Sequence, residues 1–103
     1  MDISKMLKQA QQMQSKMQSA QTELSQRRVE ASVGGGKVTA VANAAGEIIS
    51  IRIAPEVVDP KDVEMLEDLV LTAVKQALEK GKEMAAAEMG KITGGMGLPG
   101  LGM

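Results

Sequence analysis

Five cations gather in the first part of this 103-residue chain. Lys5, Lys8, Lys16, Arg27 and Arg28 stand against only Asp2 and Glu23 across residues 1–28. Such groups do electrostatic chemistry: ammonium and guanidinium ions on one side of a helix can meet a phosphate backbone. The plain alternative is a solvated helix face. Arg27 and Arg28 have an alternative of their own, complementing the negative end of a helix dipole. A second basic set, Lys75, Lys80, Lys82 and Lys91, alternates with Glu79, Glu83 and Glu88 and reads as helix-surface ion pairs. The net charge is −1, with Asp59, Asp62, Glu64, Glu67 and Asp68 bunched together. Any attraction for an anion must therefore come from a local face rather than from the whole molecule.

Other chemistry is excluded by composition. The chain has no Cys and no His, so thiol nucleophiles, disulfides, thiolate zinc sites and imidazole bases are all missing. No acidic loop of the calcium-binding kind occurs. No catalytic, cofactor or metal site is expected, and no small-molecule substrate. Gly34-Gly35-Gly36-Lys37 invites a phosphate-loop reading. However, Val38 follows the Lys where Ser or Thr is needed, and a strand follows where a helix is needed. A hairpin turn is the better reading. No apolar stretch is long enough for a membrane span, and residues 1–5 do not open a secretory signal. The absence of Cys fits a reducing cytoplasm. Phe, Tyr and Trp are absent, which favours a duplex met through its phosphates over single strands held by stacking.

The elements that must position these groups follow from periodicity. Residues 2–28 lack Gly and Pro, and Ile3, Ala10, Met17 and Leu24 recur every seven residues, with Met6, Met13 and Ala20 as the second heptad row. This predicts one long helix with a thin apolar stripe. Lys5, Lys8 and Lys16 fall off that stripe. The period then changes to two. Val29, Ala31 and Val33, then Val38, Ala40 and Ala42, then Ile49, Ile51 and Ile53 alternate with mostly polar residues. Turns at 34–36 and 43–46 separate them, predicting an antiparallel meander with one buried face. Asp59-Pro60 reads as N-cap and first residue of a second helix running to about residue 90. Gly81 is a weak point within it. Residues 90–103 are Gly-rich and predict a loose tail. The expectation is an α+β fold, a two-layer α-β-β-β-α arrangement with a three-stranded meander and long projecting helices. Residues 1–89 form the domain and 90–103 the tail.

These lengths argue for a homodimer. A helix of this size spans about 40 Å and a seven-residue strand about 23 Å, so both helices overshoot the sheet. On the second helix the apolar arc covers roughly 200°, about twice the minimum stripe of a surface helix. One part can lie on the sheet, and a two-fold partner would cover the rest. Leu66, Leu69, Val70, Ala73, Val74 and Ala77 are the expected interface. The nine Met residues are read as soft core filler.

Residues 6–17, MLKQAQQMQSKM, resemble the opening signature of the bacterial nucleoid-associated YbaB/EbfC family. Residues 38–58, with Ile51-Arg52-Ile53-Ala54-Pro55, resemble its strand pair and following segment. Residues 64–70, EMLEDLV, resemble its second helix, and Thr93-Gly94-Gly95 with Leu98-Pro99-Gly100 resemble its ending. The likeness runs in order along essentially the whole chain. It implies an α-β-β-β-α homodimer that binds double-stranded DNA, alters its conformation and acts in nucleoid organisation and gene expression. These motifs are structural and do not themselves pick out DNA-contacting residues. A competing reading from another class is a protein scaffold that docks partners through the heptad helix and the Gly/Leu tail. Salt separates the two, since phosphate binding weakens steeply with salt and apolar docking does not.

Overall fold

The computed structural model describes residues 2–94, with side chains through residue 91. Helix α1 spans Ile3–Gln26, strands β1, β2 and β3 span Arg28–Val33, Val38–Asn43 and Ile48–Ile53, and helix α2 spans Val63–Gly94. A short 3-10 turn, Pro55–Val57, joins the sheet to α2. The strands form an antiparallel meander in the order β1-β2-β3. The predicted α+β arrangement is therefore present, with both helices longer than the sheet.

Register fixes which residues share a face. Ala31 pairs with Ala40 and Val33 with Val38, while Ala40 pairs in turn with Ile51 and Val38 with Ile53. On that face α2 lies over β1 and β2, and Ala31, Val38, Ala40, Ala42, Ala73 and Ala77 form the fully enclosed core. The residues at the contact are small, so helix and sheet approach closely. Gly81 continues this contact: a Cβ there would overlap the Asn43 carbonyl oxygen. The glycine is thus a close-approach residue, and its cost to helix propensity is the condition for seating α2.

Three expectations change. Ile49, Ile51 and Ile53 were expected to be buried, but all three are exposed. Strand β3 is the edge that α2, lying over β1 and β2, leaves largely uncovered. Helix α2 begins at Val63, later than the Asp59-Pro60 reading. Asp59 instead closes a turn, its carboxylate accepting from the Lys61 N–H at 2.9 Å and its carbonyl from the Asp62 N–H at 2.9 Å. Asp62 provides the cap, accepting from the Met65 N–H at 3.2 Å. At its other end α2 passes Gly90 and continues to Gly94, carried by the helix-forming run of residues 83–89. The remainder of the expected tail, 95–103, lies outside the described residues.

Helix α1 is capped by Asp2, whose carboxylate accepts from the Ser4 N–H at 3.0 Å. It ends at Gln26, where the chain turns into β1. Only its last turns are held by the body. The Leu24 carbonyl accepts from the Ala44 N–H at 3.1 Å, and the Asn43 side-chain amide donates to the Ser25 carbonyl at 3.2 Å. Asn43 is 1% exposed, and its side-chain oxygen also accepts from the N–H groups of Ala45 and Glu47. One buried amide thus ties the end of α1 to the β2–β3 turn, directly beneath Gly81 of α2.

Candidate nucleic-acid interface

Helix α1 carries the leading candidates into solvent. Lys5, Lys8 and Lys16 are all exposed. At about 100° per residue, Lys5 and Lys16 lie roughly 20° apart on the helix and Lys8 about 60° to the other side of Lys5. Lys5 and Lys8 face away from the apolar stripe, and Lys16 lies on its flank. The ammonium groups form a broad basic side on an element whose first turns stand clear of the body.

Arg27 and Arg28 are occupied differently. Arg27 pairs with Glu23 at 2.9 Å and with Glu88 of α2 at 3.5 Å, clamping the two helices together. Arg28 donates to the carbonyls of Ser25 at 2.9 Å and Arg27 at 3.2 Å, satisfying groups at the end of α1. Both therefore act where the negative end of the helix dipole needs cations. Of the α2 lysines, Lys91 follows the pattern of helix-surface ion pairs and Lys80 departs from it. Lys80 donates to the Glu30 carbonyl of β1 at 2.8 Å. Lys91 pairs with Glu88 at 3.5 Å, while Lys75 and Lys82 stand exposed.

The Gly34-Gly35-Gly36 segment is the β1–β2 turn, all three residues having positive φ. Lys37 pairs with Glu56 at 2.6 Å. The hydrogen bond from Lys37 and its positive charge hold the Glu56 carboxyl below its ordinary range. The loop is closed on its own chain and offers no phosphate cradle. Among the described residues no group of three or more acidic side chains is placed to hold a metal ion. No helix there is long and apolar enough to cross a membrane.

The expected dimer residues divide into two sets. Ala73 and Ala77 are wholly buried against the chain's own sheet, and Leu69 packs under the Gly34 turn. An apolar helix flank is more readily buried intramolecularly when its residues are small enough for a sheet to approach, so these positions belong to the core. Leu66, Val70 and Val74 instead line an almost wholly apolar groove together with Leu71 and Glu67. Sequence reasoning placed Leu71 in the apolar arc but outside the interface set, and it missed the exposure of Ile51 and Ile53, because strand and helix periodicity mark apolar faces but not how far a neighbouring element extends. It also missed Asn43 as more than a turn residue.

A two-layer α-β-β-β-α body with a basic helix projecting from one corner defines a class of small α+β proteins. An uncharacterized protein of Helicobacter pylori, HP0035, shares this fold, with a TM-score of 0.70 over 93% of this chain and 97% of that one at 19% identity. The model of the YbaB/EbfC DNA-binding family matches residues 1–96, and the chain belongs to that family. A nucleoid-associated protein of Thermoanaerobacter sp. (strain X514) is 60% identical over 100 residues, covering 97% of this chain and 90% of the relative. One from Pelotomaculum thermopropionicum is 52% identical, covering 97% and 95%.

Proposed function

We propose that this protein binds duplex DNA as a homodimer, mainly through phosphate contacts, and alters the conformation of the DNA within the nucleoid. Membership of a DNA-binding family supplies the ligand class. The observation that carries the rest is the exposed basic side of α1, Lys5, Lys8 and Lys16, on a helix that projects from the body. Lysines are point charges that meet phosphates without reading bases, so sequence preference is weak. The homodimer rests on the apolar groove at Leu66, Val70, Leu71 and Val74 and on the open Ile51 and Ile53 of β3. A second copy would cover both and would double the basic helices presented to the duplex.

The test is a gel-shift series with random duplexes over a range of salt. Two basic helices offer about four to eight phosphate contacts, giving a log-log salt slope of about −4 to −7. The triple change Lys5→Glu, Lys8→Glu, Lys16→Glu is expected to weaken binding to every sequence alike and to flatten the slope. Equal affinity at every salt concentration would move the surface elsewhere, with Lys75, Lys80 and Lys82 the next basic set.

A further inference from the structure

The tip of α1 carries an apolar surface that phosphate binding does not use. Ile3 is 71%, Leu7 60% and Met6 51% exposed. Toward the other end of the same stripe, Leu24 is buried and Ala20 half-buried. The chain covers the base of the stripe, where α1 lies beside Glu88 and Lys91 of α2, and leaves its tip open.

We infer that this tip pairs antiparallel with the α1 tip of a second copy. The heptad decides the register. Opposing Ile3 with Met13 and Met6 with Ala10 stacks the open half of the stripe on itself in four layers, each row of one helix filling the spaces of the other. That register has two further consequences. Leu7, which lies on one flank of the stripe, meets Leu7 of the other copy across the two-fold axis, so its exposure is explained. On the opposite flank Asp2, Gln9 and Lys16 form a row, and the same register sets Asp2 against Lys16 twice and Gln9 against itself. Shifting the partner one heptad toward the body opposes Asp2 to Glu23 instead, two like charges, and moves the contact onto residues the chain already covers. Charge and exposure thus select the same alignment.

Lys5 and Lys8 point away from this contact and stay available to an anion, whereas a duplex and the second copy's Asp2 compete for Lys16. The tip also lies far from the Leu66–Val74 groove. Arg27, just past the end of α1, meets Glu88, six turns along α2 from Leu66, and the molecule is 71 Å long. Pairing at the tips therefore adds to pairing at the groove, and joins dimers to one another.

The absence of Cys makes the contact testable by cross-linking in the full-length chain. Under mild oxidation at high protein concentration, Leu7→Cys is expected to give a disulfide-linked pair, and Lys8→Cys, on the outer side, is not. A parallel pairing would instead link Ile3→Cys to itself. In sedimentation velocity, the double change Ile3→Gln, Leu7→Gln keeps good helix formers and adds no charge. It is expected to lower the mass that the wild type reaches at high concentration to that of the species without tip contacts. Equal masses for the two proteins together with an unlinked Leu7→Cys overturn the inference, as does linkage at Ile3 in place of Leu7. Loss of pairing at the groove changes neither result, since that contact is tested through other residues.

Discussion

At the residue scale, the Asn43 side chain ties the end of α1 to the β2–β3 turn, beside the bond from the Ala44 N–H to the Leu24 carbonyl. Its side-chain oxygen accepts two backbone N–H groups, from Ala45 at 3.0 Å and Glu47 at 2.9 Å. Its amide reaches Ser25 of α1 and the Glu47 carboxylate. Asn43→Ala leaves these partners unsatisfied beneath Gly81. A loss of about 2–3 kcal/mol is expected, read as a drop in the thermal midpoint. Gly81 gives a sharper test because two effects oppose each other there. Alanine raises helix propensity by roughly 1 kcal/mol, but its Cβ would strike the Asn43 carbonyl. Overpacking against backbone costs about 1–3 kcal/mol, so Gly81→Ala is expected to lower the midpoint. A Cβ at Gly90 meets nothing within 4 Å, and Gly90→Ala should raise it. Equal shifts for the two would show that propensity alone governs both sites.

At the element scale, periodicity made the order of helices and strands legible. Heptad rows marked α1, alternation marked the strands, and the Gly run marked the first turn. The start of α2 was less legible because Asp59-Pro60 and Asp62 are both chemically sound caps. Backbone geometry chooses between them, since Asp59 and Pro60 are used in the turn that follows the 3-10 segment. Asp62→Ala is expected to cost about 1 kcal/mol, seen as a lower midpoint by circular dichroism. Pro60→Ala should leave helical content unchanged, because that residue stands outside α2. The exposure of β3 was hidden for a related reason. Ile51 and Ile53 share a face with buried Ala40 and Val38, and alternation alone cannot report that α2 stops short of the edge.

At the scale of the whole molecule, the basic helix was visible in the charge distribution, but the division between core and surface on α2 was not. An apolar arc of about 200° has to be shared between a sheet and something else, and sequence does not draw the line. The structure draws it between Ala73 and Ala77, enclosed, and Leu71, 53% exposed. Leu71 therefore tests the homodimer more cleanly than the half-buried Leu66 or Val70, whose replacement would also disturb the chain's own packing. In an isolated chain Leu71→Glu places a carboxylate in water and is expected to change stability by less than about 0.5 kcal/mol. In a two-fold pair the same carboxylate is forced into an apolar contact without a cation and carries a large desolvation cost. With pairing at the α1 tips removed by Ile3→Gln, Leu7→Gln, light scattering at tens of micromolar should then give twice the chain mass without a change at Leu71 and one chain mass with Leu71→Glu, with helical content preserved in both. A variant that keeps the doubled mass would place the two-fold contact away from this groove. A wild type of single-chain mass would remove the homodimer, and DNA binding would then have to come from one α1 helix, with a salt slope about half as steep.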